Sequence, residues 1–124
     1  MKPFAATALA AFALGAPAAA QKPTNVVPIT LYSFGYGPNP IVLKAGVPVT
    51  LVFTNRAGIG HEFSAPQFFK ASKIVAGNPG GGDVDLKSGQ SASITLVPAA
   101  GAYEVHCGHF LHTQMGMHTM LYVR

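Results

Sequence analysis

From residue 29 onward the chain alternates apolar and polar positions in short runs. Ile29, Leu31 and Ser33 alternate with Thr30, Tyr32 and Phe34, and Gly35, Gly37, Pro38 and Pro40 then break the run. Ile41-Val42-Leu43 leads into the turn Lys44-Ala45-Gly46. Val47, Val49, Leu51 and Phe53 make the next inward face, with Thr50 and Thr54 outward, until Asn55-Arg56-Ala57-Gly58 turns the chain again. Residues 64–82 are the least regular: Pro66 to Lys73 fits one or two helical turns, and Gly77 to Gly82 is a loop nearly bare of side chains. A strand is expected near Val84 to Leu86. Ala92, Ile94 and Leu96 then alternate against Ser91, Ser93, Thr95 and Val97. Tyr103, Val105 and Cys107 share one face, as do Met117, Thr119, Leu121 and Val123 in the last strand. About seven short strands separated by turns predict an all-β antiparallel Greek-key sandwich. A small closed barrel fits the same pattern. No repeat and no long amphipathic helix interrupts it.

The first residues read differently. Lys2 is followed by an Ala-rich apolar run from Phe4 to Leu14, then by Ala18-Ala19-Ala20 and the polar Gln21-Lys22-Pro23. This is the pattern of a cleaved signal peptide over residues 1–20, with residues 21–124 as the single mature domain. A spanning helix needs about 20 strongly apolar residues, which this run does not supply. The mature protein is expected to be soluble and periplasmic.

Composition narrows the class. Hydrophobic residues make up 49% and charged residues 10%, with 14 Gly and 10 Pro, which excludes disorder and a helical bundle. The net charge of +4 comes from scattered Lys and Arg, so no nucleic-acid patch is expected. Such a surface suits an acidic protein partner. One cysteine excludes an internal disulfide. Nothing reads as a nucleophile with its base, a carboxylate pair or a phosphate loop, so catalysis is not expected.

The chemistry concentrates near the C-terminal end. Four of five histidines, the single cysteine and two methionines fall within His106-Cys107-Gly108-His109-Phe110-Leu111-His112-Thr113-Gln114-Met115-Gly116-Met117-His118. The fifth histidine, His61, stands alone after Gly58-Ile59-Gly60. Thiolate, imidazole and thioether form a soft donor set suited to copper, and two His and one Cys with a distant axial Met make an electron-transfer copper site. Zinc also accepts two His and one Cys but rarely recruits Met. His109 competes with His112, and Met115 with Met117. His106 and His118 face outward on strand parity. With His109 they would make either scattered surface histidines, the reading preferred here, or a second, weaker metal site.

The order His61, Cys107-x4-His112-x4-Met117 resembles the plastocyanin/azurin family of cupredoxins, the small blue copper proteins. Lys44 to Asn55 looks like that family's strand before the first His, and Gly101 to Cys107 like its strand into the Cys. Gly116-Met117 with Leu121-Tyr122-Val123 looks like its closing strand. The resemblance implies one copper ion held by His61, Cys107, His112 and Met117. It also implies a monomer exchanging single electrons with a cytochrome, oxidase or reductase through His112, inside an apolar rim of Gly108, Phe110, Leu111 and Met115. Copper delivery, storage or resistance is the alternative. Two positions depart from the family: Glu62 stands where Asn is common, and Gly108 where a small hydroxyl residue often follows the Cys. The departure implies a weakened hydrogen bond between the two ligand loops.

Overall fold

The computed structural model describes residues 25–109, 112 and 115–124. The expected leader, Phe110 and Leu111 lie outside these residues. Ten strands and one short helix follow in order: β1 (Asn25–Tyr32), β2 (Gly35–Gly37), β3 (Ile41–Leu43), β4 (Val49–Asn55), β5 (His61–Ser64), α1 (Pro66–Ala71), β6 (Lys73–Ala76), β7 (Asp83–Leu86), β8 (Ser91–Val97), β9 (Gly101–His106) and β10 (His118–Val123). They form two five-stranded sheets, ordered β2-β1-β4-β8-β6 and β3-β10-β9-β5-β7. The architecture is a sandwich, not a closed barrel. Most neighbours are antiparallel, but β1 runs parallel to β4 and β10 parallel to β3.

Alternation decides which side chains meet between the sheets. In β4, Val49, Leu51 and Phe53 are buried and Thr50, Val52 and Thr54 are not. Ile94 and Leu96 do the same in β8, and Thr119, Leu121 and Val123 in β10. A period of two places these residues on one face of each strand, and burial of that face drives the packing. Phe53, Phe63, Phe68 and Phe69 join a cluster that also holds Cys107 and Met117. Pro66 supplies the preset φ of the first turn of α1. No helix among the described residues is long and apolar enough to cross a membrane.

The stretch Gly35–Gly37, expected as a break, folds back on β1 instead, with Leu31 opposite Tyr36. Phe34 makes the turn with φ of 60°, a region non-glycine residues seldom adopt. Tyr36 is fully buried and donates a hydrogen bond to the Glu62 carbonyl at 2.6 Å. Burial pushes its hydroxyl pKa far above the usual tyrosine range, with the Cys107 and Glu62 charges adding to the effect.

Gly82 ties the irregular segment to β5. It has φ of +101°, and a Cβ there would lie 2.5 Å from the Pro66 Cα. Its carbonyl accepts from the Ala65 N–H at 2.9 Å. Gly82→Ala therefore combines backbone strain with a clash against backbone, and should cost at least about 2 kcal/mol. Urea unfolding of the variant checks this, with Gly81→Ala, which meets nothing within 4 Å, as the control.

Candidate metal centre

His61 opens β5, Cys107 follows β9 directly, and Met117 directly precedes β10. β5 and β9 are neighbours, with Ser64 opposite His106. One end of this sheet therefore collects residues from two distant parts of the sequence. The loop between Cys107 and Met117 closes on itself. Cys107 N–H donates to the Met117 carbonyl at 3.1 Å, and Met117 N–H donates to the His112 carbonyl at 3.0 Å. His112 N–H in turn donates to the His109 carbonyl at 3.1 Å. These bonds fix His112 beside the two strand ends.

The result is a tight convergence. Cys107 Sγ lies 3.3 Å from His112 Nδ1, which lies 3.2 Å from His61 Nδ1. The donor atoms of His61, Cys107 and His112 all fall within 4.8 Å of one another. His61 and Cys107 are fully buried, and His112 is half-buried. Met117 is also fully buried, in the same core cluster as Cys107. Met115, by contrast, is 57% exposed. His109 turns toward Asp85, with Nε2 3.3 Å from the carboxylate, and its ring stacks on His112 at 5.3 Å. The imidazole beside Cys107 is therefore that of His112.

The electrostatics favour neutral groups. Burial lowers the His61 pKa, and the neighbouring His112 and His109 lower it further. Burial raises the Cys107 thiol. Backbone N–H groups of His109 and Glu62 oppose that rise, and the Glu62 and Asp85 charges reinforce it. A bound cation keeps the imidazoles neutral and reverses only the preference of the thiol, since it takes the thiolate and neutral imidazole as ligands.

The donor set fits such an ion. For His61 to present Nδ1 as a donor, its proton must sit on Nε2, which has no hydrogen-bond partner among the described residues. A buried unsatisfied group costs about 1–3 kcal/mol. Structural metal sites supply about 10–16 kcal/mol, so coordination outweighs that cost. Two imidazoles and one thiolate in a dry pocket suit copper and are compatible with zinc.

The weakened loop tie expected at Glu62 and Gly108 is not what the structure has. Glu62 Oε1 accepts from the Gly108 N–H at 2.9 Å, and the Glu62 N–H points at Cys107 Sγ at 3.4 Å. A carboxylate on a backbone donor does the work expected of an amide on a hydroxyl. A Cβ at residue 108 would lie 2.5 Å from Glu62 Oε1, so a side chain there would displace the carboxylate from this bond. A charged hydrogen bond contributes about 1.5–3 kcal/mol, and partial solvent exposure reduces this to about 1 kcal/mol. Glu62→Ala should lose that amount in denaturant unfolding, and Glu62→Gln, which keeps an acceptor oxygen, should lose under about half of it.

Two further residues hold the site without having been apparent in the sequence. Phe34 meets His112 edge-on at 5.2 Å and His61 at 6.1 Å, covering both imidazoles. Asn55 is fully buried; its side-chain amide donates to the carbonyls of Ile59 and Leu86 and accepts from the Ala57 N–H. It thereby shapes the loop that delivers His61.

Comparison with known proteins agrees with this architecture. The chain resembles the dithionite-reduced auracyanin of the photosynthetic bacterium Roseiflexus castenholzii, with a TM-score of 0.61 and 19% identity over 83% of this chain and 99% of that one. Auracyanin B is similar, at 0.58 and 20% over 84% and 91%. A multicopper oxidase of Campylobacter jejuni, described as a metallo-oxidase, matches at 0.63 and 12%, covering 89% of this chain and 32% of that one. These likenesses concern the fold. No curated protein sequence matches. The model of the cupredoxin-like domain matches residues 4–123, nearly the whole chain, and this protein belongs to that family.

Proposed function

We propose that this chain is an exported single-copper protein that passes one electron at a time between protein partners. His61, Cys107, His112 and Met117 would hold the ion. The observation that carries the reading is the convergence of one thiol and two imidazole nitrogens within 4.8 Å at a buried strand end. Copper held there supplies a couple between Cu(I) and Cu(II). The protein's part is to keep the donors in place and water out: the Glu62–Gly108 bond ties the loops, and Phe34 covers the rings. Of the three convergent residues His112 alone is not fully buried, which suits it as the point of electron entry and exit. With these four residues holding the ion no position would be left for a substrate, which supports a carrier over an enzyme. Its partner is an acidic surface on a cytochrome, oxidase or reductase, met by a monomer through a small and short-lived interface.

A second reading, copper delivery or storage, is favoured by donors outside the buried pocket, Met115 and the outward His106 and His118. The two part on retention. The protein loaded with one equivalent of copper is cycled between ascorbate and ferricyanide beside a Cu(I) chelator. A carrier returns its spectrum over repeated cycles with copper bound. Loss of copper on the first reduction would reject the carrier and leave delivery.

A further inference from the structure

We propose that the outward face of β9 and β10 is a second, exposed copper site built on His106 and His118. Strand pairing sets His118 directly opposite His106. Cys107 N–H donates to the Met117 carbonyl, so 107 and 117 form a hydrogen-bonded rung. The adjacent rung, 106 with 118, is therefore of the other kind, in which opposed side chains lie closer, with Cβ atoms about 4.5–5.5 Å apart. One rung further on the same face, Met120 stands opposite Glu104.

The sequence alone left His106, His109 and His118 as scattered surface residues. The register separates them differently. His109 is bound to Asp85 on β7, two strands away from β9, whereas His106 and His118 are a pair. Both are exposed, and both line a cavity of about 570 Å³ together with Glu104, Met120, Tyr122 and Asn39. Two imidazoles favour copper over other divalent ions of the first row, and Met120 and Glu104 line the same cavity. Exposed imidazoles reorient within nanoseconds, so the pair can close on an ion without moving the strands.

This site is separate from the buried one. Successive side chains of a strand point to opposite faces, so His106 and His118 lie on the far side from Cys107 and Met117, one residue along each strand. A cation there is reached directly from solution and needs none of the buried donors.

The test uses the full chain with Cys107→Ala, so that its outcome does not depend on copper in the buried pocket. Cu(II) is titrated in and followed by calorimetry and EPR. One equivalent should bind with nitrogen superhyperfine structure from two imidazoles. Removing even an outer-shell partner of a metal site weakens binding about 10–100-fold. Loss of a direct imidazole in His106→Gln or His118→Gln should therefore weaken this binding by at least about tenfold. Protection of both residues from diethylpyrocarbonate by one equivalent of Cu(II), read by mass spectrometry, gives the same answer without altering the pair. Binding unchanged in both variants, or lost only in His109→Gln, would overturn the proposal. The latter result would assign the ion to Glu62, Asp85 and His109.

Discussion

Replacing Cys107 with alanine should remove the intense visible band expected when one equivalent of Cu(II) is added to the unaltered protein. That band is thiolate-to-copper charge transfer, and Cys107 is the only thiol in the chain. The narrow copper hyperfine splitting should vanish with it. Copper affinity of the buried site should fall by more than about a hundredfold, since the loss of a direct ligand exceeds the 10–100-fold cost of an outer-shell partner. The fold should survive, because the side chain is small and the change leaves the backbone bonds of the loop in place. Absorption, EPR and circular dichroism on the same sample check the band, the splitting and the fold, and a Cu(II) titration checks the affinity. A pale spectrum identical in both proteins would mean histidine-only binding. The electron-carrier reading would then be wrong and copper handling would take its place.

Phe63→Ala should be the most damaging single change to stability. Phe63 is fully buried and packs against Phe53 at 4.8 Å, Tyr36 at 5.7 Å and Phe69 at 6.1 Å between ring centres. Truncating such a ring costs about 3–5 kcal/mol, against a total stability of about 5–15 kcal/mol for a domain. The melting temperature of the metal-free protein should fall by roughly 20 °C. Phe63→Leu keeps most of the volume and should lose under about half as much. The consequence reaches the site, because Phe63 lies two residues from His61 on the same face of β5. Copper should bind Phe63→Ala more weakly and restore part of its melting temperature, since a ligand that binds only the folded state stabilises it by mass action. Differential scanning calorimetry with and without one equivalent of copper measures both effects.

Much of this was legible in the sequence because a strand has a short period. Val49-Thr50-Leu51-Val52-Phe53 and Ser93-Ile94-Thr95-Leu96 each announce their inward face, and the structure buries those residues. The same parity turned Cys107 and Met117 inward and His106 and His118 outward. Spacing alone left His109 competing with His112; the resemblance to the cupredoxins brought His61, Cys107 and His112 forward as a set, and the donors of those three do converge. What stayed hidden depends on pairing between distant residues. Gly35-Tyr36-Gly37 looked like a break because its glycines favour turns, yet pairing with β1 makes it a strand and buries Tyr36. Asn55 resembled a turn residue, and its three hydrogen bonds are set by partners up to 31 residues away. Phe34 over the imidazoles could not be read, since nothing local marks a φ of 60°. Glu62 looked like a lost contact because its partner was sought on a side chain at residue 108, and the donor it finds there is the Gly108 backbone N–H.

The place of β10 in its sheet has a consequence for how the chain is made. It is made after every other described strand, yet it lies between β3 and β9 and bonds to both. Until it arrives, each of those strands presents an open row of backbone donors and acceptors, the kind of edge that recruits other chains into aggregates. A ribosome that stalls before residue 118 therefore releases two adhesive edges at once. Both edges stay open until β10 has been made and has docked between β3 and β9.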